Sequence, residues 1–498
     1  MRLLTLSLLL LTGLLCPAEE QAPPQRPNIV IIYADDLGVM DSSVAGSKLY
    51  ETPNIDRLAK EGMSFAQAYS AFPRCVPSRQ ALLSGKYPCR LEAASGRKEH
   101  SLPLAETSFG EALKNAGYDT TYIGKWHLGH DAAGYPDKQG FTTAIHTGSA
   151  GATDNYFFPF QPEKKHEVIN PVSGKDGDYL TDLLTQAAVQ KIRDSRKESP
   201  FLIVLAHYAV HTPFQAKPEL VAKYQAKLKA LGLAEGGLKD DADFKLDGSG
   251  YAKTVQNNAV YAAMLESLDQ SVGAIEAALK AKGLEKNTVI LFSSDHGGLS
   301  SRGLKNKRPV ATSNLPYRHG KGWVYEGGIR VPLIVKWPGH VAAGAVSQVQ
   351  VTGTDHFPTL LQLAGLPLMP QQHLDGQSYF PALQGKSYQR GPMFWYSHTA
   401  RPTSTGDLPG MAWIEGHHKI LEWFDDGRVE LFDLAKDPGE QHDLAKEQPA
   451  LCAELLKKMR DFEAGIGGDL RAKGKEATYK RIEKKGEAKG KKADGDGE

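Results

Sequence analysis

The sequence predicts an α/β fold: a large, mainly parallel sheet sandwiched by helices, with a smaller α+β subdomain at the C-terminal end. Three observations predict it. Short apolar runs ending in acids, lysines or histidines recur along the chain, helical patterns fall between them, and beyond about Gly385 the pattern changes to a hairpin and a helix. Strands alternating with helices imply parallel pairing, with both sheet faces covered. At 498 residues the chain exceeds the size of a single core, so a large domain plus a smaller one is expected.

The first element is MRLLTLSLLLLTGLLCPAEE: one arginine, a leucine-rich run, then small residues near Ala18. It reads as a secretory signal peptide over 1–18, too short for a comfortable membrane span. Cys16 as a lipoprotein cysteine is the other reading of this end. Residues 19–26 are a linker. Residues 29–32 (IVII) form an apolar run ending in Tyr33, Ala34, Asp35 and Asp36, as suits a strand buried on both faces. Residues 120–123 end in Gly124, Lys125, Trp126 and His127. Residues 201–206 (FLIVLA) run into His207 and His211, and residues 289–292 (VILF) into Ser293, Ser294, Asp295 and His296. In such sheets ligands gather beyond the carboxyl ends of the strands, so polar endings at one edge make a site.

Between these runs, Tyr261, Leu265, Leu268, Val272, Ile275 and Leu279 keep the spacing of one apolar helix face. Residues 109–116 form a second helix, closed by Gly117. Further on, residues 418–424, Asp425-Asp426-Gly427 and residues 428–434 read as a hairpin, the Asp-Gly pair favouring a tight primed turn. A helix with Leu451, Leu455, Leu456, Met459 and Phe462 on one side follows. The resulting division is a catalytic unit at 27–385, a C-terminal subdomain at 386–470 and a charged, disordered tail at 471–498.

Lysine plus arginine total 59 against 58 acids, which points to neither nucleic acid nor a polybasic membrane anchor. Three cysteines lie beyond the signal segment: Cys75, Cys89 and Cys452. An odd number in an exported chain leaves at least one outside any intramolecular disulfide; a Cys89–Cys452 pair and three unpaired thiols are both open. Pro77 through Leu83, stopped by Gly85, reads as a short helix. Cys75 then sits at its N-terminal edge, where free amides favour negative charge, and Arg79 projects one turn on.

The stretch CVPSRQALLSGKYP resembles the signature of the type I sulfatases, members of the alkaline phosphatase superfamily, and the likeness extends over nearly the whole ordered chain. It takes in RPNIVIIYADDLG, YIGKWHLG, HYAVHTPF, SSDHGG, HGKGWVYEGGIRVPLIVKWPG and ELFDLAKDPGEQHDLA, in family order. The resemblance implies an alkaline phosphatase-like fold. It implies that a maturation enzyme oxidises Cys75 to formylglycine during export, and that the hydrated aldehyde attacks sulfur to form a sulfoenzyme intermediate.

It also implies roles for individual residues. Asp35, Asp36, Asp295 and His296, with the modified Cys75, correspond to the family's divalent metal site, usually calcium. Histidine at the fourth position, often asparagine elsewhere, is a poor calcium ligand and leaves magnesium or manganese open. Lys125 matches a sulfate-binding lysine, and His127 the histidine that takes the diol proton. His211 and Lys321 match groups at the sulfate and leaving oxygen, and Arg79 holds the diol.

Other residues invite structural readings. His207 points away from His211 on a strand end. Asp355 is expected as an N-cap opening a helix. His319 is expected at the substrate pocket, Glu326-Gly327-Gly328 in a turn near the site, and His417-His418 at the surface. Loops at 129–160 and 299–318 are expected to rim the pocket. The substrate expected is a sulfated sugar of glycosaminoglycan or algal polysaccharide type, met in the periplasm or outside the cell. Two alternatives stay open: a phosphodiesterase or phosphonate monoester hydrolase using the same nucleophile, and a non-catalytic secreted carbohydrate-binding relative.

Overall fold

The structure, a computed structural model, describes residues 26–95, 101–129, 132–160, 167–196, 198–236, 241–306, 308–467 and 471–472. The signal segment and nearly all of the charged tail lie outside the described residues, as does Cys16.

The central sheet has eight strands: β1 (Asn28–Ala34), β2 (Met63–Tyr69), β3 (Asp119–Gly124), β4 (Thr143–Ile145), β5 (Phe201–Ala206), β6 (Thr288–Ser294), β7 (Leu333–Lys336) and β8 (Ala345–Thr352). Their spatial order is β8-β2-β7-β6-β1-β5-β3-β4. The four runs picked out in the sequence are neighbours, β6-β1-β5-β3, and all pair in parallel. Only β7 runs antiparallel to its neighbours, β6 and β2. Ala34 lies opposite Ser294, Tyr33 opposite Ala206, and Gly124 opposite Ala206. The four strands therefore stop nearly level, and the residues that follow them emerge at one edge.

β1 is buried along its whole length because its side chains supply two cores. Val30, Ile32 and Ala34 face the helices Leu180–Asp194 and Ala259–Lys282. Ile29, Ile31 and Tyr33 face Leu82, Phe109 and Phe357, carried by the helices Cys75–Ser84, Phe109–Asn115 and His356–Leu363. The long Ala259–Lys282 helix begins where Asn258 accepts from the Tyr261 amide and ends at Gly283, φ +70°.

Beyond these elements lies a four-stranded antiparallel sheet of β9 (Met393–Ser397), β10 (Gly410–Glu415), β11 (His418–Trp423) and β12 (Val429–Asp433). The helix Pro449–Ile466 covers it through Leu455 and Met459. The β11–β12 connection differs from the expected two-residue turn. Five residues, 424–428, span it, with Gly427 at φ +73° and Asp426 accepting from the Arg428 amide at 3.0 Å. The Asp-Gly pair sits inside a longer loop that Asp426 closes. Asp355 stands at the N-cap of the His356–Leu363 helix as expected, but its side chain makes no capping hydrogen bond there. Its carboxylate accepts from the Thr352 amide at 2.8 Å and from Arg390 at 2.9 and 3.0 Å, so it fixes the preceding turn instead.

Candidate active site

Asp35 and Asp36 follow β1, Lys125 follows β3, and Asp295 and His296 follow β6. The helix Cys75–Ser84 brings its first residue to the same edge; Gly85 ends it in the left-handed conformation, donating to Ala81. Two side-chain-bearing residues of the site, Asp36 (φ +61°) and His127 (φ +58°), also adopt left-handed backbone. That conformation costs about 1–3 kcal/mol in a non-glycine residue and persists where the surroundings impose it.

The Cys75 sulfur lies 3.2 Å from His296 Nε2, and 3.6 Å from both Asp35 Oδ1 and Lys321 Nζ. Lys321 Nζ donates to Asp36 at 2.5 Å, and Lys125 pairs with Asp35. Arg79 holds Asp295 through Nη2 at 3.0 Å and Nε at 3.2 Å, while Nη1 donates to the Lys125 carbonyl at 2.7 Å. The Tyr33 ring lies beside that guanidinium, 5.5 Å from its centroid. His211 Nε2 is 3.8 Å from Asp36, and its Nδ1 is 2.7 Å from the Thr212 carbonyl, so the neutral ring carries its proton on Nδ1. His127 packs edge-on against the backbone at Gly151, where a Cβ would come within 2.2 Å of Nε2.

Each of these three buried cations thus has its own carboxylate, and the charges shape proton affinities. Burial pushes the Cys75 thiol up, but Lys125, Lys321 and His296 outweigh it and hold the group well below its usual range. Burial also opposes ionised Asp36, yet Lys321, His211 and His296 keep it below the carboxylate range. His127 is pulled down to about 4, chiefly by burial, and His211 to about 3 for the same reason. Both are therefore neutral at pH 7. Burial lowers His296, but Asp295 and Cys75 raise it above the ordinary value.

Ligand atoms of Asp35, Asp36, Cys75 and His296 all lie within 4.8 Å of one another. Asp36 Oδ2 is buried and accepts no hydrogen bond. Such an orphaned oxygen, among other carboxylates in a buried cluster, fits a divalent cation. Asp295 stands outside this group of four. Its carboxylate is turned to Arg79, although Oδ1 remains 3.4 Å from His296 and 3.3 Å from the Asp36 amide.

The other sequence expectations sort clearly. His207 is fully buried, with Nε2 2.9 Å from Ser271 Oγ, away from this cluster. His319 does not line the cavity at Cys75, contrary to expectation. Its ring stacks on Trp323 at 3.8 Å and approaches Asp247 at 3.2 Å, which turns it toward another cleft. Glu326 is buried with Lys419 at 3.0 Å, a structural pair behind the site. The cavity of about 250 Å³ above Cys75 is rimmed by the segment that precedes Cys75 and by residues from the loop after β9, including His398 and Arg401. Among the described residues, neither 129–160 nor 299–318 contributes to that lining. Sequence reasoning missed Arg74, Glu92, His398 and Asp407, whose partners lie hundreds of residues away.

Similarity to known proteins agrees with this arrangement. The family description "Sulfatase" matches residues 27–366, and "N-sulphoglucosamine sulphohydrolase, C-terminal" matches residues 318–464. A "Sulfatase" of Formosa agariphila is 32% identical over 525 residues, covering 89% of each chain. The N-acetylgalactosamine-6-sulfatase of Mus musculus is 34% identical over 414 residues, covering 78% of this chain and 72% of its own. Among solved structures, Ps i-CgsB in complex with k-i-k-neocarrahexaose superposes with a TM-score of 0.73 at 30% identity, covering 88% of this chain and 93% of that one. The Cys75–Ser84 helix, the carboxylate cluster and the paired lysines sit on a chain matched over most of its length, and this protein belongs to the sulfatase family, the type I enzymes of the alkaline phosphatase superfamily.

Proposed function

We propose that this sulfuric ester hydrolase removes sulfate from a sugar, with Cys75 converted to formylglycine by a maturation enzyme during export. The observation that carries the reading is the position of Cys75: first residue of a helix, 3.6 Å from Lys321 and touching the carboxylate cluster. The sugar rests on similarity to an N-acetylgalactosamine-6-sulfatase and to a structure complexed with a neocarrahexaose. Export rests on the N-terminal sequence. Among the described residues no helix is long and apolar enough to cross a membrane.

Asp35, Asp36, His296 and the modified residue 75 would hold the cation, with Asp295 at its edge. We favour calcium because carboxylate oxygens dominate the set. When bound, a divalent cation there supplies positive charge to a sulfate oxygen and to the attacking group. The hydrated aldehyde supplies an oxygen nucleophile in place of the thiol.

The chain's own residues do the rest. Lys125 and Lys321, both buried, face the sulfate and neutralise charge as it shifts toward the leaving oxygen. Arg79 anchors Asp295 and the Lys125 backbone, fixing two sides of the site with one guanidinium. His127, neutral at pH 7, accepts the proton of the second hydroxyl. His211 takes the place beside the leaving oxygen. A bound anionic ester raises its proton affinity and makes it a donor.

The test is the mass of the tryptic peptide Cys75–Arg79 from protein made in its native host. An aldehyde in place of the thiol is expected, together with release of sulfate from sulfated oligosaccharides by that material. An unmodified thiol in active protein would remove the assignment, and faster turnover of a phosphodiester than of a sulfate ester would move the chain to the phosphodiesterases.

A further inference from the structure

Arg74 immediately precedes the nucleophile and is 8% exposed, with an extended backbone that opens the Cys75–Ser84 helix. One corner of its guanidinium is clamped. Nη2 donates to both oxygens of Asp407, at 2.6 and 2.7 Å, and to Thr405 Oγ1 at 3.3 Å. Asp407 is fully buried and is itself fixed by the Arg401 amide at 3.1 Å and the Thr405 hydroxyl. Gly322, next to Lys321, donates its amide to the Pro73 carbonyl at 2.8 Å. A Cβ there would stand 2.7 Å from Asp407 and 2.8 Å from Arg74 Nη2. The clamp is thus tied to both catalytic loops.

The remaining nitrogens of Arg74 have no such employment. Nε is buried and makes no hydrogen bond, and Nη1 donates to no atom of the described residues. Arg74 lines the same cavity as Cys75, His127, His211 and Lys321. A guanidinium with one corner fixed and another unspent is preorganised for an oxygen ligand.

The charge around it is unbalanced. Arg308, held by Ser404 at 2.9 Å, lies within electrostatic reach of Arg74, Asp407 and Asp36, and Arg401 lines the cavity. Among the described residues, Arg74 and Arg308 thus look to one carboxylate that no lysine claims, Asp407. Glu92 is spent on His398, 2.9 Å away, and Lys125, Lys321 and Arg79 each have a carboxylate of their own. A surplus of positive charge in a small cavity favours an anionic partner over a neutral hydroxyl.

We infer that Arg74, oriented by Asp407 and assisted by Arg308, binds a second anionic group of the substrate, a sulfate or a carboxylate on the sugar bearing the scissile ester or on its neighbour. The inference rests on the sulfatase reading and names the substrate class within it: multiply charged sugars. Arg74 is a specificity residue, and Asp407 positions it.

The experiment measures kcat/KM of the matured full-length enzyme on three matched disaccharides: one sulfate only, the same with a second sulfate, and the same with a uronate carboxylate. The wild type is expected to prefer at least one doubly charged substrate by tenfold or more, and which one identifies the group. Arg74→Gln should collapse that ratio through KM, Arg74→Lys should keep part of it, and Asp407→Asn should lower it. Because Arg74→Gln breaks a buried pair and can unfold the protein, Arg308→Gln provides a second reading of the same ratio in a half-buried position. A wild-type ratio near one, or a ratio unmoved in both glutamine variants, overturns the inference. Failure of the matured enzyme to release sulfate from any of the three and from 4-nitrophenyl sulfate would overturn the sulfatase reading itself.

Discussion

Arg79 and Asp295 form an ion pair at 3.0 Å in which both side chains are all but inaccessible to solvent, 2% and 0% exposed. The pair joins the Cys75–Ser84 helix to the end of β6, and the same guanidinium reaches the Lys125 carbonyl after β3. Three separately encoded segments are thus held by one side chain. Removing one partner of such a pair leaves an uncompensated buried charge, at a cost of about 3–5 kcal/mol. Arg79→Met and Asp295→Ala should each lose stability of that order in urea unfolding. Asp295→Ala should in addition lower metal content measured by elemental analysis. An Asp295→Ala protein with full metal occupancy would exclude Asp295 from any part in holding the ion.

The carboxylate cluster makes a prediction about metal removal. Bound ions that prefer the native state stabilise it by RT ln(1 + [L]/Kd), about 2.7 kcal/mol at a hundredfold excess over Kd. Chelator-treated protein should therefore melt several degrees lower and release no sulfate. Calcium, magnesium or manganese should restore the melting temperature in the order of their affinity for the site. If none of the three shifts the melt, the group Asp35, Asp36, Cys75 and His296 is held together by Lys125 and Lys321 alone.

Much of this site was legible because buried parallel strands announce themselves. Residues 29–32 carry apolar side chains on both faces, and the polar residues after such a run can only lie at the sheet edge. Asp35, Lys125 and Asp295 were placed in that way, and the resemblance supplied Cys75, Arg79, His127, His211 and Lys321. The clamp was not legible. Arg74 and Asp407 are 333 residues apart, and Asp407 lies in a loop with no period to mark it. His319 was misplaced for a related reason: stacking on Trp323, four residues on, turns the ring away from Lys321, and no linear pattern records that turn. The antiparallel strand β7 was likewise hidden, because an apolar run gives depth of burial and not direction.

His207 predicts an acid limb in stability. The ring is fully buried, its Nδ1 has no partner, and burial depresses its pKa to about 3. The unfolded chain, with a value near 6.5, binds the proton first. Its contribution is therefore complete above about pH 6.5 and is lost as pH falls toward 3. Between pH 7 and pH 5 this one residue should cost about 2 kcal/mol. His207→Asn, which can keep the bond to Ser271, should lose less stability over that interval than the parent. Equal losses in the two proteins, read from urea midpoints at each pH, would show that His207 is not the group responsible.

Gly124 and Gly117 separate backbone strain from close approach. Both have left-handed backbone, φ +92° and +89°, so alanine costs roughly 1 kcal/mol at either. Around Gly117 nothing lies within 4 Å of a new Cβ. At Gly124 that atom would stand 2.1 Å from the Ala206 carbonyl oxygen, the acceptor of the Lys125 amide at 2.8 Å. Alanine there must part β3 from β5 just where Lys125 leaves the sheet to meet Asp35. Gly117→Ala should therefore lose a small amount of stability and no activity. Gly124→Ala should lose more stability and also reduce kcat, because a lysine moved by a few tenths of an ångström no longer meets the developing charge. Variants indistinguishable in both melting temperature and kcat would mean that the β3–β5 contact does not set the position of Lys125.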